Sequence, residues 1–287
     1  MRSIFARELR AYFTSAIGYV FVVFMLAAVG VYAASLVFFQ RFAYFEYVLI
    51  NSLFVFMIAI PILTMRSLAD DRHNKTLQFL YALPVGVKGI VIGKYLAMCV
   101  VFLIPCLLYC LYPLIMLGYG MRSAATAFSS IFAFYMLGCA LIALGLFISS
   151  LTEFQFISAL MSFGAILLLY LASTLASRIP GTALVSFLSL VGLAAAVGLL
   201  GGLLTRSLGM GAGLFAVLAV ILSLVYLRAP QSMEGLITRV LQSISPFDGF
   251  YGFAYGEFSL AAIVYDLLFG GLFLFFTVQV LEKRRWQ

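Results

Sequence analysis

The sequence predicts an all-α, polytopic membrane protein, and three observations carry that expectation. Hydrophobic residues fill 65% of the 287 positions and charged residues 9%, whereas soluble domains sit near half apolar and a quarter charged. A chain of this size has too little interior to hide so much apolar surface from water, and its mean hydropathy of +1.17 says the same. The apolar residues also fall in runs of the length that crosses a bilayer as a helix, about 20 residues. Helices are the form such runs take, because lipid offers backbone groups no partners.

On that ruler the expected spans are 16–39, 47–65, 95–117, 126–150, 156–175, 183–204, 211–227 and 259–281. The pair 183–204 and 211–227 is rich in Gly and Ala and joined only by "TRSLGM". It reads either as two spans, giving eight, or as an inserted re-entrant hairpin, leaving six. Either even count puts both termini on one side. With the N-terminus inside, Arg2, Arg7, Arg10, Arg66, Arg72, Lys75, Lys88, Lys94, Arg206, Lys283, Arg284 and Arg285 are cytoplasmic. Only Arg41, Arg122, Arg178, Arg228 and Arg239 are then outside. The excess of basic residues follows the positive-inside rule and predicts cytoplasmic termini. The +7 formal charge therefore speaks for a membrane surface, not for nucleic acid.

Two amphipathic segments flank the spans of what reads as a single domain over 1–287. In "MRSIFARELRAYF", Ile4, Phe5, Leu9, Tyr12 and Phe13 share one helix side while Arg7 and Arg10 project from the other. Residues 1–14 thus read as an interfacial helix with its arginines near anionic headgroups, or as an extension of the first span. Within 230–258, "SMEGLITRVLQSI" sets Met233, Leu236, Ile237, Val240, Leu241 and Ile244 at helical spacing between Pro230 and Pro246. The "SPFDGFYGFAYGEF" that follows alternates aromatics with glycines, a composition that suits anchoring at the headgroup level.

Several chemistries lack their residues. "GIVIGKY" at 89–95 has three residues between its glycines and Tyr95 after Lys94. A phosphate-binding loop needs four, and a Ser or Thr for magnesium, so Lys94 reads as an anchor at the start of the third span. No ATP site, cofactor site or catalytic residue is expected in this chain. His73 stands alone as the single histidine, so no metal cluster or nucleophile–base pair can be built on it. Cys99, Cys106, Cys110 and Cys139 all lie in apolar runs and read as reduced, buried thiols, with a disulfide or metal site the lesser alternative. Ion-driven carriers place acids near the midplane, while Glu46 and Asp266 here fall near the outer ends of spans.

The charge is concentrated instead in "MRSLADDRHNKTLQFLYALPV", residues 65–85. Leu68, Leu77, Leu80, Tyr81 and Leu83 supply an apolar side, and Asp70 to Lys75 form a polar block before Thr76. Pro84 ends the helix, because proline disfavours helical geometry in the residue ahead of it. The 66–94 loop therefore reads as a cytoplasmic docking surface, the alternative being an ordinary solvated loop.

That stretch resembles the cytoplasmic loop of ABC-2-type permeases, whose pattern is approximately M-R-x-x-A/x-E-E-R-x-x-G-T-L-E-x-L-x-x-x-P-V. The tail from "ISPFDGFYGFAYGEF" to "LEKRRWQ" resembles the gliding-motility-type and copper-processing-type branch of that family, and "FARELRAYFTSAIGYVF" is similar to its interfacial helix and first span. The resemblance implies a coupling helix seated in the groove of a separate nucleotide-binding ATPase, which would hold the ATP and magnesium. Asp70 and Asp71 match the acidic pair, Arg72 the base after it, Thr76 and Leu77 the T-L step, and Pro84 the closing proline; Leu80 and Lys75 lie among them. Lys75 stands where the pattern has glycine and Gln78 where it has glutamate. Further implied are a second permease subunit, identical or related, an exporter's function, and a bacterial cell membrane. A non-transporting scaffold for an ATPase or motility machine, and an ion-coupled carrier, are the competing readings.

Overall fold

In a computed structural model the described residues are 2–39, 44–76, 86–118, 123–176, 178, 182–205, 209, 213, 216–217, 219–220, 223, 226 and 234–285. Among them regular structure is helical throughout. Helix α1 covers Arg2–Thr14 and α2 covers Ala16–Ala33, with a wider π-type turn over Ala34–Phe39. Then come α3 (Phe45–Thr64), the single turn α4 (Ala69–His73), α5 (Val87–Tyr109) and α6 (Leu111–Leu117). After these follow α7 (Ala124–Leu151), α8 (Gln155–Ala176), α9 (Ala183–Thr205), α10 (Leu236–Ile244), α11 (Phe247–Ala254) and α12 (Leu260–Arg285).

Six of the described helical stretches are long and apolar enough to cross a membrane: Ala16–Val37, Phe45–His73, Val87–Leu117, Ala124–Leu151, Gln155–Leu175 and Leu260–Arg284. The third begins eight residues earlier than the sequence suggests, so the loop is shorter than 66–94. Helix α9 is also apolar, whereas most of 211–227 lies outside the described residues.

The chain divides into two compact units, Met1–Leu168 with Pro246–Gln287, and Leu169–Ser245. In the first, α7 is the axis. It packs against α3, α5, α11 and α12, while α1 lies along α5 and α2 against α3. Phe134 of α7 sits at the centre of an aromatic core, 4.4 Å from Phe56, 6.0 Å from Phe102 and 5.9 Å from Phe250 between ring centroids. Two glycines let the neighbours approach α7. A Cβ at Gly138 would fall 2.1 Å from Phe102 Cε1, and one at Gly145 would fall 2.4 Å from Thr64 Oγ1. Small residues at such contacts are how helices pack closely in lipid. Outward, Val20, Val23 and Val31 of α2 and Leu267 and Leu268 of α12 remain exposed, the surface a membrane helix offers to acyl chains.

The aromatic segment departs from expectation. Phe247, Phe250 and Phe253 recur every three residues along α11 and are buried at 0%, 1% and 2% exposure. They fill the core beside α7 instead of anchoring at headgroups, while Tyr255 and Phe258, beyond the helix, stay exposed. In the second unit α10 packs on α9, and Phe187 stacks on Tyr226 at 4.9 Å. Helix α10 starts at Leu236 after Gly235, whose φ of 68° requires a residue without Cβ strain. Pro230 and Met233 lie outside the described residues.

Candidate functional site

The charged residues of the loop gather at the Thr64 end of α3. A turn over Met65–Leu68 leads into α4, whose first turn carries Asp70 and Asp71 and whose last carries Arg72 and His73. This arrangement favours the helix dipole at both ends. The free amides at the N-terminus of α4 need acceptors. Ser149, near the end of α7, supplies one: its Oγ accepts from Leu68 N at 3.2 Å and Ala69 N at 3.1 Å, and donates to Met65 O at 3.3 Å.

Lys94 of α5 is the centre of the site. Its ammonium lies 2.6 Å from Asp71 Oδ2 and 3.1 Å from Glu8 Oε2, and it donates to Ser67 O at 2.8 Å. The lysine side chain is 2% exposed, against 13% for Glu8 and 22% for Asp71. One buried cation therefore ties α1, α4 and α5 together. A buried charge persists only with partners of this kind. Tyr12 fastens α1 further, donating to Leu63 O at 3.2 Å, and its burial, reinforced by Glu8, pushes the phenol above its ordinary range. Arg7, Glu8, Arg66, Asp70, Asp71 and Lys94 line a cleft of about 260 Å³ at this junction.

Asp70 and Arg72 bind the other side of the loop. Asp70 Oδ2 pairs with Arg66 Nε at 2.9 Å, and its Oδ1 accepts from Asn74 at 2.9 Å and from Gln155 Nε2 of α8 at 2.8 Å. Arg72 pairs with Glu153 at 2.6 Å and donates to Leu151 O at 3.2 Å. From α12, Arg284 donates to Ser150 O at 3.1 Å and Leu151 O at 3.3 Å. Thr76 donates to Asp71 Oδ1 at 2.8 Å. The segment 65–76 is thereby bolted to α5, α7 and α8, and through Lys94 to α1, while α12 grips the same end of α7.

Of the residues the sequence singled out, Asp70, Asp71, Arg72 and Thr76 converge here. Lys75 is exposed, with φ of 57°, the left-handed region that favours glycine. Leu77, Leu80 and Pro84 lie outside the described residues. On α1, Arg7 pairs with the adjacent Glu8 and Arg10 is exposed. Lys94 is not the surface anchor expected of it. The signal was present, since Val87, Ile90, Val91, Lys94, Ala97, Met98 and Val101 are spaced along one buried helix face. Glu8 likewise falls between Ile4 and Tyr12 at steps of four on the apolar side of α1. Ser149, Glu153, Gln155 and Arg284 carried no such mark.

Two acids lie apart from this cluster. Glu46 of α3 is 5% exposed and Asp266 of α12 is 7% exposed, and neither Glu46 Oε2 nor Asp266 Oδ1 has a hydrogen-bond partner among the described residues. No group of three His, Cys, Asp or Glu among those residues is placed to hold a metal ion.

Six described helical stretches of lipid-spanning length and composition, three of them packed around α7, define a polytopic membrane protein. Residues 27–179, just over half of the chain, match the family model described as ABC-2 family transporter protein. The protein belongs to that family of membrane transport components. No curated protein and no solved structure matches the chain.

Proposed function

We propose that this chain is the permease subunit of an ATP-driven exporter, coupled to a separate ATPase through the loop between α3 and α5. The single observation that supports it most is the triad of Glu8, Lys94 and Asp71. A docking loop that only tethered an ATPase would have no need of a buried cation shared with two other helices. A loop that transmits force does need rigid connections, and here it has them to α5, α7 and α8, and through Lys94 to α1.

In this reading the ATPase closes on ATP and pushes the loop, and the bolted helix ends move as a body. The transition is a shift between two conformations biased by nucleotide on the partner. The loop and both termini are cytoplasmic, the membrane is a bacterial cell membrane, and a second permease subunit, identical or related, completes the path. The resemblance of the tail supports the gliding-motility-type and copper-processing-type branch. Leu77 and Leu80 are the apolar part of the docking surface, and Pro84 closes it.

The test begins with purification from the native membrane to identify the ATPase that travels with the chain. In the reconstituted complex, Leu77→Asp with Leu80→Asp lowers ATP turnover to that of the ATPase alone, with helical circular dichroism unchanged. Wild-type turnover in that variant overturns the docking assignment. Labelling of Lys75 from the exterior only overturns the orientation.

A further inference from the structure

Glu46 stands at the far end of α3 from the ionised cluster, roughly 30 Å away along a helix of this length. It lies in the wall of a cleft of about 340 Å³ whose other lining residues are Tyr44, Tyr47, Thr126, Ala254 and Tyr255. That volume falls in the range of small-molecule sites, roughly 300–1,000 Å³. Glu46 is 5% exposed, and its Oε2 is buried with no hydrogen-bond partner among the described residues. Its place in the first turn of α3 favours a negative charge through the helix dipole, but a dipole does not replace the missing donor.

Three tyrosines line the cleft together with Glu46. Tyr44 and Tyr47 meet edge to face at 6.2 Å, and all three rings present surface, 39%, 38% and 66% exposed for Tyr44, Tyr47 and Tyr255. The turn carrying Tyr255 is seated against α7, where a Cβ at Gly256 would lie 3.2 Å from Thr126 Cγ2. One carboxylate among aromatic faces is poor chemistry for a metal: calcium takes six to eight oxygens and magnesium an octahedral set. It is good chemistry for a large, weakly hydrated cation, which gains from ring faces and from a single negative charge.

We propose that this cleft binds an organic ammonium group, with Glu46 as its counter-ion and Tyr44, Tyr47 and Tyr255 as its aromatic walls. The group comes either from a free ammonium solute or from an amine-bearing lipid headgroup. The inference does not depend on coupling to an ATPase.

The experiment uses the full chain in nanodiscs of phosphatidylglycerol, a lipid without an amine. Tetramethylammonium chloride is titrated against a sodium chloride control and binding is read by calorimetry. In a second arm, phosphatidylethanolamine is added to the nanodiscs and native mass spectrometry records which lipid the released protein retains. Saturable tetramethylammonium binding, weakened about tenfold or more by Glu46→Gln and by Tyr255→Ala, establishes a site for a free solute. Selective retention of phosphatidylethanolamine by the wild type, lost in both variants, establishes a headgroup site. Tyr255 is exposed, so its variant decides the question if Glu46→Gln fails to fold. Absence of both signals in the wild type, or signals that survive both substitutions, overturns the proposal.

Discussion

At the Thr64 end of α3, Glu8, Arg66, Asp70, Asp71, Arg72, Lys94 and Glu153 all have an opposite charge within an ion-pair distance. At the Phe45 end of the same helix, Glu46 is more deeply buried than any of those acids and Oε2 has no partner among the described residues. Buried charge is costly in either place. Where it is paired, it locks elements together and is spent within the fold. Where it is unpaired, the fold bears the cost and a ligand can relieve it. The two ends of one helix thus suit the two proposed tasks, transmission at one and recognition at the other.

The largest test of that contrast removes the shared cation. Lys94→Met leaves Glu8 and Asp71 facing each other with their common partner gone. Loss of about 3–5 kcal/mol is expected, the usual cost of breaking a buried ion pair from one side. Denaturant unfolding in detergent measures it, with Lys88→Met, an exposed neighbour on the same helix, as the reference. Equal stability of the two variants would show that Lys94 binds nothing together.

Next in size is the contact through which the loop end of α3 meets α7. Gly145→Val forces side-chain atoms into Thr64, where even a Cβ would be 2.4 Å from Oγ1. Overpacking of this sort costs about 1–3 kcal/mol, and at this site it also separates Thr64 from the helix that carries Ser149. Coupled ATP turnover should fall by more than the loss of stability explains, a difference visible when turnover is measured well below the melting temperature.

At the opposite end the sign reverses. Glu46→Gln keeps the shape and removes the charge, so stability should hold or rise by about 1 kcal/mol, because a neutral amide is less costly to bury than an unpaired carboxylate. A loss of stability in the same unfolding assay would mean that Glu46 is held by the fold after all, and the contrast between the two ends would disappear.

Much of this was legible in the sequence. Runs of apolar residues located six lipid-length helices, because in lipid the length and composition of a segment suffice to define a span. The polar block at Asp70–Lys75 stood out for the same reason, as charge is conspicuous in a chain with so little. What composition could not resolve is where a charged side chain points. Lys94 obeys the positive-inside rule and so passed for a surface residue, although its spacing from Val87, Ile90 and Val91 marks the buried face. The phenylalanines of α11 matched an aromatic belt by content, yet their period of three buries them together beside Phe134. The partners of Asp70 and Arg72, Gln155 on α8 and Glu153 on the turn before it, lie some 80 residues away in sequence, and no local pattern announces them.

The smallest expected effect concerns the one position where the chain departs from the permease pattern and the backbone records the departure. Lys75 follows the end of α4 with φ of 57°, and its amide donates to Arg72 O at 3.1 Å to close the turn. This left-handed position is the usual place for glycine after a helix, and it is where the resemblance has glycine. A side chain there costs about 1–2 kcal/mol through the clash of Cβ with the following carbonyl. Glycine relieves that cost but loses roughly 0.5–1 kcal/mol through the freedom it regains in the unfolded chain. Lys75→Gly should therefore stabilise the protein by only about 0.5 kcal/mol. The lysine is exposed and outside the ion-pair network, so the substitution leaves every pair around Lys94 intact. If the glycine variant is less stable, the Lys75 side chain has a partner of its own; if ATP turnover with the cognate ATPase falls while stability rises, that partner is the ATPase.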